Sequence, residues 1–110
     1  MTAYLDNSAT TPVCSEAVEA MKTAVTELWG NPSSLHQKGI EADEMLENAR
    51  SNVARRLFCR DDEVYFTSGG TESNNLAVQG AAHAMRRRGR RIVTTSVEHP
   101  SIDETVKHLE

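Results

Sequence analysis

Glu63-Val64-Tyr65-Phe66-Thr67-Ser68-Gly69-Gly70-Thr71-Glu72-Ser73-Asn74-Asn75-Leu76 carries the fold's main signal. Val64 to Thr67 is a β-branched and aromatic run that reads as a buried strand. Ser68, Gly69 and Gly70 stop it with residues that permit a turn no side chain would tolerate. Thr71 reads as the N-cap of a following helix, with Glu72 in its first turn. A strand, a glycine turn and a helix in that order aim unpaired backbone N–H groups at one point, at the positive end of the helix dipole. That point suits an anion, phosphate above all. The same residue types fit an ordinary tight turn with a plain cap, and both readings stand at this level. The glycine spacing is not that of a dinucleotide fingerprint, and no Gly-Lys-Ser/Thr follows to make a P-loop.

Downstream, the helix is expected to run from Glu72 to about Arg88, lined by Ala77, Gly80, Ala81 and Ala84, small residues that allow a close approach to a sheet or another helix. Gly89 is expected to end it in a left-handed cap, with Arg86-Arg87-Arg88 complementing the C-terminal dipole. Arg91 to Ser96 reads as a second strand, followed at once by Val97-Glu98-His99-Pro100-Ser101. Pro100 suits the first position of a last helix with Ile102, Val106 and Leu109 on its apolar face and Asp103 and Glu104 in its opening turn. Strands separated by helices imply an α/β protein with a largely parallel sheet, in which ligands collect at the carboxyl ends of the strands. Gly69-Gly70-Thr71 and Glu98-His99-Pro100 both stand at such ends. His99 therefore draws more interest than His36, His83 or His108, although a capping or loop role would also account for it.

Upstream, Arg60-Asp61-Asp62 is a short charged connection. Ala42, Met45, Leu46, Ala49, Val53 and Leu57 share one helical face, with Glu41, Glu44, Glu47, Arg50 and Arg55 mainly off it. His36 and Gly39 fall just ahead of that helix or in its first turns, where a histidine is usually a surface or capping residue. Gly30-Asn31-Pro32-Ser33-Ser34 is a turn. Before it, Ser15 is expected to cap a helix whose stripe is Val18, Met21, Val25 and Leu28, ending near Trp29-Gly30. Residues 1–14 read as an extended arm rich in hydroxyl and amide side chains, and residues 15–110 as the remainder of one domain.

The chain's 110 residues set an upper bound of one small domain. A net charge of −4 argues against general nucleic-acid binding despite the arginine cluster at 86–91. No apolar run approaches the roughly 20 residues that span a bilayer, and the first residues lack the pattern of a signal peptide, so a cytoplasmic location is expected. Cys14 and Cys59 are isolated, suggesting neither a redox pair nor a metal site.

Taken together, Tyr4 to Pro12, Gly30 to Ser34 with His36 and Gly39, Phe66 to Asn75, and Glu98-His99 resemble the amino-terminal part of the cysteine desulfurases. These belong to the class V aminotransferase group of fold-type I pyridoxal 5′-phosphate enzymes. The resemblance covers essentially the whole chain and rests on four separated motifs in the right order. It implies part of an α/β/α large domain, incomplete here, with a mostly parallel sheet and flanking helices. It further implies conversion of L-cysteine to L-alanine, with the sulfur passing through an enzyme persulfide to an iron–sulfur scaffold or another acceptor, in a homodimer. By position, Gly70 and Thr71 match the pair that binds the cofactor phosphate. His99 matches the histidine that stacks on the pyridine ring and moves protons. The arm and the Asn31 to His36 loop match segments near the active site or dimer contact.

Members of that family are several times longer. Their cofactor-anchoring lysine, the aspartate facing the pyridine nitrogen, the substrate-binding arginine and the sulfur-carrying cysteine all match positions beyond residue 110. Lys22, Lys38 and Lys107 lie outside the lysine's sequence context, and neither Cys14 nor Cys59 holds the persulfide position. The resemblance also implies that strands from later in the chain lie between the Val64 and Ile92 strands, so unpaired edges and poor stability are expected of this segment alone. It is expected to be inactive by itself. Another class V member, such as a selenocysteine lyase or aminotransferase, and a noncatalytic module that binds a full-length subunit are the alternative readings.

Overall fold

A computed structural model describes residues 3–110 and contains four α-helices: α1 (Ser15–Thr26), α2 (Gln37–Leu57), α3 (Gly70–Met85) and α4 (Pro100–His108). A short 3₁₀ turn, Asp61–Glu63, follows α2. The chain divides into two compact units, one ending at Val64 and the other spanning Tyr65–Glu110.

In the first unit, α1 begins one residue earlier than a Ser15 cap requires. Cys14 occupies the cap position in extended backbone with no side-chain cap, and the Ser15 hydroxyl donates to the Glu16 carboxylate at 3.1 Å instead. Of the expected packing stripe, Val18, Met21 and Val25 are exposed and Leu28, beyond the helix end, is half-buried; α1 itself buries no residue. The stripe on α1 is therefore uncovered within the described residues.

Helix α2 is anchored at both ends. His36 is its N-cap, accepting on Nδ1 from the Gly39 N–H at 3.3 Å. Phe58 closes it in a left-handed conformation, φ 56°, ψ 38°, and the N–H groups of Phe58 and Cys59 both reach the Ala54 carbonyl. Gly39, Ala42 and Ala54 are buried, whereas Leu57 and Phe58 are exposed. Arg50 donates from Nη1 to the Val64 carbonyl and Ser51 pairs with Asp61, tying the 3₁₀ turn back onto α2.

The Gly30 to Ser34 turn packs against the first turn of α2. Ser33 N–H donates to the Asn31 side chain at 2.9 Å and Ser34 N–H to the Asn31 carbonyl at 2.9 Å. A Cβ on Gly39 would collide with the Ser34 carbonyl and lie 2.8 Å from that of Asn31, and one on Gly30 would collide with the Lys38 carbonyl. Both glycines are there because two backbones touch.

In the second unit α3 packs on α4. Thr71 is not the cap of α3. Gly69 holds that position in extended backbone, φ 160°, ψ −177°, and the helix starts at Gly70. Neither Gly69 nor Gly70 takes a left-handed conformation, and added Cβ atoms there would meet nothing within 4 Å. The turn itself does not demand glycine. Gly89 likewise has no positive φ: α3 ends at Met85, and the Arg88 and Gly89 N–H groups fold onto the Met85 carbonyl at 2.7 and 3.2 Å. The small residues Ala77, Gly80, Ala81 and Ala84 are exposed, and open space surrounds the Gly80 Cα. Gly80→Ala should therefore stabilise α3 in this chain by about 1 kcal/mol, the ordinary helix-interior gain. Helicity and urea midpoint would report it, and a loss would reveal a neighbour pressed against that face.

No strand forms among the described residues, which corrects the expectation of strands at Val64–Thr67 and Arg91–Ser96. Val64 retains extended backbone, φ −101°, ψ 121°. A strand exists only through its ladder partners, and the described residues supply none. Val64 is buried, but Tyr65 at 73% and Val93 at 86% exposure stay in the open. The α/β architecture is thus not formed by this segment itself.

Candidate functional site

Two helix starts build the candidate site. At the start of α3, the Ser73 N–H reaches the Gly69 carbonyl at 3.1 Å, the first backbone bond of the helix. The N–H groups of Gly70, Thr71 and Glu72 precede it and find no acceptor among the described residues. The Thr71 hydroxyl has no partner there either. Glu72 turns its carboxylate back, accepting at 2.7 Å from both the Ser68 N–H and the Ser68 hydroxyl. Thr67 and Ser73 hydroxyls pair at 2.7 Å, bracing the same turn.

The two Ser68 hydrogen bonds, from the hydroxyl and then the backbone, hold the Glu72 carboxyl below its usual value near 4.5. A folded value below the unfolded one means that this brace is complete above about pH 4.5 and is lost as pH falls through the folded value. The Ser68 amide resonance should follow that titration in the wild type and stay level over the same range in Glu72→Gln. A Ser68 amide indifferent to pH in both proteins would contradict the brace.

At the start of α4, His99 is the N-cap (φ −62°, ψ 142°), with Pro100 in the first turn as expected. Its Nδ1 lies 3.2 Å from the Ser101 N–H and 2.8 Å from the Ser101 hydroxyl. The contact between α3 and α4 is polar, although Ile102, Val106 and Leu109 read as the apolar face of α4. Asn74 donates to the Ser101 hydroxyl at 2.8 Å, and Thr105 donates to the Asn75 side chain at 2.8 Å. Ser101 and Thr105 are the buried residues of α4, 8% and 4% exposed, while Ile102 and Val106 are only half-buried. Asn75 in turn donates to the Thr71 carbonyl at 2.9 Å, so one hydrogen-bonded chain links the two helix starts.

That network floors a groove of about 400 Å³ lined by Thr71, Asn75, Gln79, His99, Ser101 and Thr105, among others. Thr71 and His99, singled out separately in the sequence, thus face one groove. Gly70 adjoins it through α3. The sequence reading missed Asn75, Gln79 and Thr105. Their signal is present: Thr71, Asn75 and Gln79 recur every four residues, as do Ser101 and Thr105, and such spacing puts each set on one helical face. A larger groove of about 810 Å³ at the far end of the unit includes Arg86, Arg90 and Arg91 and contains neither Thr71 nor His99. His108 lines the same groove as His99, whereas His36 and His83 do not, and no metal-binding cluster forms among the described residues.

No lysine lines the Thr71–His99 groove. Lys22 pairs with Glu19, Lys38 with Glu41, and Lys107 with Asp103 and Glu104. Hydrogen bonds from Asp103 and then Glu104 push the Lys107 ammonium well above its ordinary value, holding it charged. Cys14 is exposed and Cys59 half-buried; both are free thiols outside the groove.

The Aminotransferase class-V family profile matches residues 3–110. A NifS/IcsS protein homolog of Lactobacillus delbrueckii subsp. bulgaricus is 52% identical over 107 residues, covering 97% of this chain and 28% of the relative. Cysteine desulfurase IscS of Dictyoglomus turgidum is 47% identical over 107 residues, again 97% of this chain and 27% of the relative. The IscS-like cysteine desulfurase of Mycobacterium tuberculosis is 50% identical over 110 residues, covering 97% of this chain and 28% of the relative. Among solved structures, a NifS-like protein superimposes with a TM-score of 0.87 at 42% identity, over 99% of this chain and 30% of that one. The chain therefore spans under a third of the length of these relatives.

Proposed function

The chain belongs to the class-V aminotransferase family, and from that membership we propose that it forms the phosphate-binding and ring-facing part of a pyridoxal 5′-phosphate site in a cysteine desulfurase. The observation that carries this reading is the shared groove of Thr71 and His99. The residues present fit the cofactor. Three unengaged N–H groups and a partnerless hydroxyl at the start of α3 form a donor set suited to a phosphate, and the space above Gly69 and Gly70 is open. Glu72 is the one negative charge at that helix start, and Ser68 draws its carboxylate into the turn.

In this reading Gly70 and Thr71 hold the phosphate by backbone N–H and hydroxyl, and the imidazole face of His99 lies against the ring and serves as its acid–base partner. The bound cofactor supplies an electron sink for bond breaking at the α-carbon of the substrate. The protein's own task is to orient that sink and to keep charge where it forms. L-cysteine as substrate, L-alanine as product, a persulfide passed to an iron–sulfur scaffold or another acceptor, a homodimer and a cytoplasmic setting complete the proposal. The desulfurase names of the relatives support the chemistry. No helix among the described residues is long and apolar enough to cross a membrane. The uncovered α1 stripe and the extended backbone at Val64 support completion of an α/β/α domain by further protein.

With no lysine or cysteine in the groove, the 110 residues alone should not turn over cysteine. Labelled L-cysteine with pyridoxal 5′-phosphate tests both halves of the proposal. The native gene product from its source cells should release labelled alanine, and the 110-residue chain should release none. A native product that forms no alanine would remove the desulfurase assignment, and alanine from the chain alone would show that its site is more complete than proposed.

A further inference from the structure

The hydrogen bonds at the start of α4 decide which nitrogen of His99 carries the proton. A backbone N–H can only donate, so the Ser101 N–H at 3.2 Å requires an acceptor at Nδ1. The Ser101 hydroxyl, 2.8 Å from the same nitrogen, accepts from Asn74 Nδ2 at 2.8 Å and keeps its own proton, which can go to the Nδ1 that the backbone N–H has already made an acceptor. Two donors on Nδ1 put the proton of the neutral ring on Nε2.

Ser101 is not free to turn away. It is 8% exposed, its hydroxyl is held by Asn74, and the Thr105 hydroxyl lies 2.8 Å from both its carbonyl and Asn75 Oδ1, with one proton to share between them. We infer that Ser101, oriented by Asn74, is a positioning residue that fixes His99 in the tautomer with a bare Nδ1 and a protonated Nε2.

The inference rests on the reading that His99 faces the cofactor, and it sharpens that role. In this geometry neutral His99 presents a hydrogen-bond donor at Nε2. It accepts no proton there, because that nitrogen already has one. Taking up a proton at Nδ1 requires the Ser101 hydroxyl to turn from donor to acceptor and the Ser101 N–H to lose its acceptor. Stacking and donation are thus the resting functions of the ring, and proton uptake is coupled to movement of Ser101.

Long-range proton–nitrogen NMR of histidine-labelled protein, above the ordinary histidine titration range and without cofactor, reads the tautomer directly. His99, assigned through a His99→Gln spectrum, should show an acceptor-type Nδ1 and a protonated Nε2. Ser101→Ala removes the hydroxyl and keeps the backbone N–H, so it should move the nitrogen shifts only part of the way toward a tautomer mixture, and Ser101→Thr should restore the wild-type pattern. Circular dichroism establishes that each variant keeps its helices, and the wild-type spectrum stands as a test whatever the variants do. A protonated Nδ1 in the wild type, or an unchanged pattern in Ser101→Ala, would overturn the inference. Because the reading needs no cofactor, it separates from the cofactor proposal: failure of pyridoxal 5′-phosphate to bind would leave the tautomer result intact.

Discussion

Gly39→Ala should loosen the turn between Gly30 and α2 severely. The added Cβ meets the carbonyls of Ser34 and Asn31, which are backbone atoms already committed to the turn. They have no rotamer to change. Gly39 is buried and its N–H is bound to His36, so the helix cannot slide away without losing its cap. Overpacking of this kind costs about 3 kcal/mol at the upper end of its usual range. Amide exchange at Ser34 and Gly39 should accelerate on the order of a hundredfold, since each 1.4 kcal/mol is about tenfold. Gly30→Ala acts on the same contact, and the double variant should therefore cost less than the sum. Unchanged exchange in Gly39→Ala would mean that the two backbones are further apart than the structure has them.

Thr71→Glu should weaken binding of pyridoxal 5′-phosphate on the order of a hundredfold. It replaces a hydroxyl donor by a carboxylate beside the three free N–H groups, and like charge facing a phosphate costs several kcal/mol when closely placed. The helix has no reason to suffer, because an acidic residue in a first turn favours the dipole. Loss of binding would thus be separable from loss of fold by the intensity of the helical circular dichroism. Thr71→Ser keeps the donor and should bind nearly as the wild type does. Equal binding by Thr71→Glu and wild type would move the phosphate away from α3.

The helices were legible because each signals itself. The apolar spacing from Ala42 to Leu57 announced α2, and Pro100 marked the first turn of α4. The strands were not, because a run such as Val64 to Thr67 becomes a strand only when a ladder partner is present, and none of the described residues provides one. Cap positions were misjudged by one or two residues at Ser15 and Thr71, where the best hydroxyl in the window is not the residue with extended backbone. Phe58 could not have been foreseen as a left-handed terminus, since a bulky residue rarely takes it.

At the site, Thr71 and His99 were each visible from a turn at an expected strand end. Their meeting was not, because it depends on α3 packing on α4 through Asn74, Asn75, Ser101 and Thr105. Those polar residues look like exposed positions in a sequence and are buried here only in the case of Ser101 and Thr105. One signal did exist: a histidine directly before a proline at a helix start is a capping residue, and its target is the N–H two positions on. That relation leads from His99 to Ser101 without a structure.

The central claim is that the starts of α3 and α4 serve one ligand. Titrating the ¹⁵N-labelled chain with pyridoxal 5′-phosphate, and in parallel with pyridoxal lacking the phosphate, tests it directly. The account predicts that pyridoxal 5′-phosphate shifts the amides of Gly70 and Thr71 together with the ring resonances of His99, and that pyridoxal binds far more weakly. Perturbation of only one helix start, or equal responses to the two compounds, would contradict it.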